Sequence, residues 1–520
     1  MTRVTPNSRA LARIFIIIAA LMAASALLGV DLGTSSVKGV AFDLTGRALA
    51  SREVRSGYTI PRPGWAEADA DAWWRAVCGI LRELTQTVGT RRVAAVGITG
   101  QAPTLLLVDR DGEPVGNAIL WLDVRSEAEV APMAARVGAE SERASGNRLH
   151  PYYLGPKLAW VRQHAAERLD QASALLQSHS YPVMRLTGAR VTDFSSASLC
   201  APLYDARRRA WSPEVLARLD IPADLLPELR PAHDVAGTVT PAAAAETGLG
   251  AGTPVVVGGA DFAASALAAG VTEPGEAALM LGTAGNLILP FTHAEFDTRF
   301  INSHHAGCDR YLALGSTLCG AVQEWFRAVA APGVPHDILD GEAASVPIGS
   351  DGVQLLPYLQ GERSPVWDAG ARGAFVGLSL AHGRGHLYRA VLEAVAVSFR
   401  HCAEVGGERG LAFHEVVAVN GGARSRLWRQ ILADALGVDL LYLPDHPGAP
   451  AGAAILAGIG TGVLSGVDAA KRWRPPVMRH VPDEAAGAVY RRLLSARKEL
   501  YAALRVHERI ASPDATRSDV

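Results

Sequence analysis

"GVDLGTSSVKGVAFD", residues 29–43, decides the fold of this chain. With its flanks, "LLGVDLGTSSVKGVAFDLTGRALASREV" reads as strands joined by tight turns, with Gly33-Thr34 and Thr45-Gly46 as the corners. A plain hairpin accounts for the segment taken alone. A second reading gives it chemistry. Backbone N–H groups in a Gly-Thr-Ser turn cradle phosphate oxygens, and the hydroxyls of Thr34, Ser35 and Ser36 add donors. Asp31 stands just upstream, where one carboxylate holds Mg2+ through water.

Working outward, "ALMLGTAGNLILP" (278–290) repeats the pattern, again strand, Leu-Gly-Thr corner, strand. The tripeptide occurs once in each half in the same setting, which predicts two related α/β domains facing a common ligand. Gly282-Thr283 then forms a second phosphate cradle without a carboxylate. Two cradles and one acid suit a magnesium nucleotide held in a cleft between two domains.

"VVVGGADFAAS" (255–265) places Asp261 after a buried-strand run and two glycines. Two readings are open: Asp261 caps the following helix, since Asp is a preferred N-cap, or it is a catalytic carboxylate. Further on, "VVAVNGGARSRLWRQILADALGVDLLYL" (416–443) reads as strand, Gly-rich turn, amphipathic helix, strand, a βαβ unit whose turn is open to a nucleotide. "GAPAGAAILAGIGTG" (448–462) reads as a small-residue helix, for close backbone approach or tight packing. "DADAWWRAVCGILRELTQTV" (69–88) is a helix started by Asp69 or Asp71, with Trp74, Val77, Leu81 and Leu84 on one face. "VAAVGITG" (93–100) and "GNAILWLD" (116–123) are further buried strands.

Bulk composition narrows the classes. With 520 residues, 49% hydrophobic and 20% charged, the chain is globular and long enough for more than one domain. A net charge of −2 indicates no nucleic-acid partner. The five cysteines lack a CxxC, so they suggest neither zinc nor disulfides and suit a reducing cytoplasm. Of 50 basic residues only Lys38, Lys157, Lys471 and Lys498 are lysine. Where arginine is so favoured, a lysine marks either chance or a place that needs a compact ammonium. Residues 1–26 have the layout of a secretory leader, yet the first strand follows without a spacer. The expectation is an N-terminal extension outside the fold (1–26), with Met22 as an alternative start, and no membrane association. Domains are expected at 27–255 and 256–507, with a disordered tail at 508–520.

These segments, together with "WAEADADAWW", "AILWLDVRS", "GPKLAWVRQH", "LLPYLQGERSPVWD" and "ARGAFVGLS", stand in the order seen in the FGGY family of carbohydrate kinases. The sequence resembles that family over roughly residues 27–505, and the nearest branch phosphorylates D-xylulose. The resemblance implies two actin-like, ribonuclease-H-like domains that close on ATP and a sugar, with Mg2+ as the metal; a homodimer is compatible with it. It implies Asp261 as catalytic base and Asp31 near the metal. It implies Gly33, Thr34, Ser35 and Lys38 on the phosphate hairpin and Gly282 with Thr283 on its counterpart. Gly421, Gly422, Ala423 and Arg424 would lie along the adenosine, with Gln430 and Asp434 further down that helix. Gln101, Ala102, Pro103, Asp123, Arg125 and Phe262 fall, with Asp261, on the sugar side.

The departures concentrate at the sugar. Where that branch has Met-His after the glutamine, this chain has Ala102-Pro103; Phe262 replaces the Asn after the base, and Leu122 replaces the Asn of Trp-Asn-Asp-x-Arg. Asn420 replaces the first Gly of the adenosine run. The activity implied is γ-phosphoryl transfer from ATP to D-xylulose, giving D-xylulose 5-phosphate. The alternatives are another ketose or polyol (ribulose or a sugar alcohol) and a transfer-inactive actin-like ATPase. His304-His305 reads as packed rather than as a metal pair, since neighbours on a strand point apart. Trp65, Trp73 and Trp74 read as core or lid, and Glu362-Arg363 as an internal ion pair.

Overall fold

The computed structural model describes residues 25–511. The expectations for the leader-like segment up to residue 24, for Met22, and for the tail from 512 onward lie outside the described residues.

Two compact units result. The first runs to Thr272 and takes in Ser303–Tyr311 and Pro447–Arg474; the second holds Glu273–Asn302, Leu312–His446 and the chain from Pro475. This differs from a single cut after residue 255. The helix beginning at Asp261 and the small-residue helix Ala449–Gly460 both belong with the N-terminal strands.

In the first unit β1 (Ala26–Leu32), β2 (Ser36–Asp43) and β3 (Ala48–Arg55) form an antiparallel meander. β4 (Val93–Gly100) lies parallel to β1 on its other side. β5 (Val235–Thr238) forms the antiparallel edge, β6 (Pro254–Val256) runs parallel to β4, and β7 (Gly259–Ala260) returns to the end of β4. Helix α1 (Ala70–Val88) starts at Asp69, whose carboxylate accepts from Asp71 N–H, and buries Trp73, Trp74, Val77, Leu81 and Leu84. Trp73 and Trp74 are therefore core. The segment 116–123 yields only a two-residue strand, Ala118–Ile119. The chain then turns, with Asp123 N–H donating to Leu120 O, because the Asp123 carboxylate is drawn back to the Ala66 N–H.

Glycines let the Ala449–Gly460 helix reach the sheet. A Cβ on Gly29 would lie 1.8 Å from Pro450 O, and one on Gly97 2.0 Å from Ala453 O. On the other side, a Cβ on Gly452 would lie 2.0 Å from Ala264 O, in the helix α2 (Asp261–Ala268). The small residues thus serve tight packing of backbone on backbone across one unit.

In the second unit the sheet contains β8 (Glu276–Leu281), β9 (Ala284–Phe291), β10 (Tyr311–Leu318), β11 (Glu415–Val419), β12 (Asp439–Tyr442) and β13 (Met478–His480). Their spatial order is β10-β9-β8-β11-β12-β13. The expected βαβ unit is present: β11 and β12 are parallel and are joined through α3 (Arg426–Leu436). The last helix is Glu484–Ala511, so residues 508–511 continue it rather than opening the tail. Among the described residues no helix is long and apolar enough to cross a membrane.

Gly97→Ala forces a methyl into the Ala453 carbonyl and is expected to cost about 1–3 kcal/mol. Gly79→Ala, in α1 with nothing within 4 Å of the added methyl, is expected to stabilise by about 0.5–1 kcal/mol. Thermal unfolding of the two variants checks the contrast, and equal shifts would contradict the packing described.

Candidate active site

Parallel strands present their carboxyl ends together, where open α/β sheets bind ligands. In the first unit the ends of β1, β4 and β7 lead into Gly33, Gln101 and Asp261 respectively. Pairing sets Asp31 opposite Lys38 on β2 and Thr99 on β4. Thr99 Oγ1 donates to Asp31 Oδ1 at 3.3 Å, and Lys38 Nζ donates to Pro447 O at 3.3 Å.

Burial pushes both carboxyls up, Asp31 to about 8 and Asp261 to about 6. Asp31 is raised further by the charge of Asp261, and Thr99 and Lys38 offset part of the rise. Two like acids in one buried site favour sharing a proton. Asp261 is the first residue of α2, and Ala260 occupies the N-cap position with no side-chain cap. Asp261 Oδ1 accepts from the adjacent Phe262 N–H at 2.7 Å. The capping reading is therefore corrected: the carboxylate sits inside the helix start rather than closing it.

The β1–β2 corner, expected from the sequence to cradle phosphate, has its hydroxyls more committed than the sequence suggests. Thr34 Oγ1 donates to Gln101 Oε1 at 3.1 Å and accepts from Trp121 Nε1 at 3.0 Å. Ser36 Oγ donates to Glu53 at 2.7 Å, while Ser35 is exposed at the corner. Ser36 is thus turned away from the cradle. Gln101 is buried, and its Nε2 makes no hydrogen bond among the described residues. Ala102 and Phe262 are buried, and the Ala102 carbonyl accepts from the Tyr152 hydroxyl at 3.2 Å. Pro103, also buried, follows in a cis peptide.

Asp123 and Arg125 close on one another. Both side chains are almost wholly buried, with Arg125 Nη2 2.8 Å from Asp123 Oδ2 and 2.8 Å from Glu67 Oε1. The guanidinium lies 3.7 Å over Trp65. Their expected place as sugar contacts is therefore not what the side chains present, because buried charges are held by partners. Lys157, fully buried, donates from Nζ to the carbonyls of Asp123 and Tyr152, each at 3.0 Å, and to that of Pro151. Burial pushes its ammonium down to about 7. Three carbonyls around one point charge explain why lysine stands there. Thr99, Trp121 and Tyr152 escaped the sequence reading; only Trp121 had a signal, its place inside "WLDVR".

In the second unit β8 and β11 run parallel with Met280 opposite Val419, so the corners that follow, Gly282-Thr283 and Asn420–Arg424, are neighbours. Gly282 O accepts from Gly320 N–H at 2.8 Å, and Thr283 O accepts from Cys319 and Ala321 N–H. A Cβ on Gly421 would meet nothing, whereas one on Gly422 would strike Trp428 at 2.7 Å. Ala423 is buried and Arg424 exposed, and their carbonyls accept from the Arg429 guanidinium at 2.6 and 3.0 Å. Gln430 and Asp434 bond each other at 2.8 Å. Elsewhere in this unit, Glu362 accepts from Thr317 Oγ1 and from the Arg363 N–H. In the first unit, His304 Nε2 lies 3.1 Å from Ala206 O and His305 Nε2 3.0 Å from Val271 O, both side chains buried.

The fold is the α/β, actin-like, ribonuclease-H-like one of solved sugar-kinase structures. Residues 26–268 match the N-terminal domain of the FGGY family of carbohydrate kinases and residues 296–461 match its C-terminal domain. The chain belongs to that family and is a carbohydrate kinase. It is 32% identical over 443 residues to the "Xylulose kinase" of Bacillus subtilis, covering 84% of this chain and 88% of the relative. It is 35% identical over 459 residues to the "Glycerol kinase" of Gloeobacter violaceus, with 84% and 88% covered. The crystal structure of xylulose kinase from Rhodospirillum rubrum superposes with a TM-score of 0.85 at 35% identity, covering 93% of this chain and 99% of that one.

Asn420 has φ 75° and ψ −177°, a region that glycine enters and other residues pay about 1–3 kcal/mol to hold. Asn420→Gly is expected to raise unfolding stability by about 1 kcal/mol or more in denaturant titration. A loss of stability would show that the asparagine side chain compensates the strain.

Proposed function

We propose that this kinase transfers the γ-phosphoryl group of ATP to a primary hydroxyl of D-xylulose, with Asp261 as general base. The carrying observation is the partly buried Asp261 carboxyl, which desolvation raises toward neutrality and whose Oδ1 accepts, among the described residues, from the N–H at its own helix start. Such a group takes the hydroxyl proton as attack on the phosphorus proceeds, and the rest of kinase catalysis is positioning and charge neutralisation. Gly33, Thr34, Ser35 and Lys38, with Gly282 and Thr283, are assigned to the phosphates, and Gly421–Arg424 to the adenosine. Gln101, through its unpartnered amide donor, is assigned to a sugar oxygen.

Asp31 fits Mg2+. It offers one carboxylate, and Mg2+ needs only one or two while keeping its water and taking phosphate oxygens. Bound there, the ion would neutralise phosphate charge and favour the ionised form of Asp31. ATP as co-substrate agrees with a cytoplasmic protein.

A second reading, a polyol kinase, is favoured by the apolar replacements Ala102, Pro103 and Phe262 and by the relative named glycerol kinase. ATP-turnover assays across D-xylulose, D-ribulose, glycerol and pentitols decide between the two. D-xylulose should give the highest kcat/KM, and a polyol ahead of it would replace the first reading. Ala102→Met with Pro103→His restores polar reach and is expected to raise activity on D-xylulose.

Asp261→Asn is expected to lower transfer by about 10²–10⁴-fold with ATP affinity nearly unchanged. In wild type, kcat/KM should rise with pH through about 6 and level off above it, because the base must be ionised. The stability sign is opposite. A carboxyl raised in the fold keeps its proton while the unfolded chain ionises, so its presence costs stability above the ordinary carboxylate range and not below it. Asp261→Asn should therefore melt higher than wild type at pH 8, with the difference vanishing near pH 3. Transfer within threefold of wild type would remove Asp261 from the mechanism.

A further inference from the structure

We propose that Ser195, oriented by Asp193, is a positioning residue that fixes the backbone from which Asp261 projects. The inference rests on the reading of Asp261 as the base. Ser195 Oγ accepts the Ala260 N–H at 3.1 Å, at the residue immediately before Asp261. Ala260 is the N-cap of α2 and carries no side-chain cap, so this bond holds the peptide that enters the helix. The direction of the hydroxyl is settled by Asp193, whose Oδ2 accepts both the Ser195 hydroxyl and the Ser195 N–H, the latter at 2.7 Å. With its proton given to a carboxylate, the hydroxyl turns a lone pair toward Ala260.

The surroundings are built for that contact. Asp193 and Ser195 are buried, and Asp193 Oδ1 accepts from Ser196 N–H at 3.1 Å, with His179 Nε2 at 3.8 Å. Ser303 Oγ donates to Ser195 O at 3.1 Å, tying the serine from the other side. The approach also explains Gly259: a Cβ there would lie 2.9 Å from Asp193 Oδ2 and 3.1 Å from Ser195 Oγ. On its far flank, β7 is paired to Thr99 and Gly100, and Thr99 is the residue that holds Asp31. The two acids are thus located by one strand end, and Ser195 is the contact specific to Asp261. A reacting group shifted by about 1 Å loses on the order of 10²-fold in rate.

Steady-state kinetics of Ser195→Ala, Ser195→Cys, Asp261→Asn and the double variant Ser195→Ala/Asp261→Asn test the inference. Ser195→Ala is expected to lower kcat by about 10- to 30-fold with both KM values within about twofold. Ser195→Cys, which keeps the volume with a weaker acceptor, should fall between it and wild type, and it serves the test if the alanine variant does not fold. In the Asp261→Asn background the serine substitution should add no further loss, because its effect passes through the base. A wild-type kcat in Ser195→Ala, or an equal additional loss in the double variant, would overturn the positioning role. Near wild-type transfer by Asp261→Asn would instead defeat the base reading itself.

Discussion

Two partly buried acids at the ends of parallel strands set the terms for the rest of the first unit. Asp31 and Asp261 lie where desolvation opposes ionisation, and the charge of Asp261 adds to the cost at Asp31. What compensates them is sparse: a threonine hydroxyl and the Lys38 charge at Asp31, a single backbone N–H at Asp261. A structural acid in such a place would be closed by partners, as Asp123 is by Arg125 and two backbone N–H groups. Among the described residues, the contrast within one unit is between a carboxylate closed by partners and two that are sparsely partnered.

Holding such a site requires rigid backbone around it, and glycine supplies that by absence. Gly29 and Gly97 bring the Ala449–Gly460 helix onto the two strands whose ends carry Asp31 and Gln101, and Gly452 brings the same helix against α2. The element from late in the chain therefore braces β1, β4 and α2 together. Interiors this close-packed deform little, so the carboxyls stay where the strands put them.

The strand–corner–strand repeats, the βαβ unit and the face of α1 were legible because they are local patterns of period and corner residue. The fold class and the family motifs were legible for the same reason. The membership of the Ala449–Gly460 helix in the first unit was not, since nothing in its own sequence says which sheet its small residues approach. Nor was the closure of Asp123 on Arg125, which depends on Glu67 and Ala66 arriving from another loop. Nor could the sequence decide between the two readings of Asp261, cap or catalytic carboxylate. Propensity favours Asp before a helix, but the chain enters α2 one residue earlier, and the peptide at Ala260 is held by a distant serine.

The sugar side follows from the same accounting of polar groups. Asp123 and Arg125 present no free charge, Ala102 offers a carbonyl already bonded to Tyr152, and Phe262 is buried. Among these residues the buried Gln101 amide is the donor without a partner. A pocket that recognises a ligand by one strong donor and otherwise by shape discriminates weakly between isosteres that differ by a hydroxyl, because few of its own groups go unpaired when one is missing. On the proposed reading, selectivity would rest on excluded volume around the Ala102-Pro103 corner and its neighbours Trp121 and Tyr152. Enlarging or polarising that corner would, on the same reading, act on substrate choice and leave the assigned phosphate corners and Asp261 untouched.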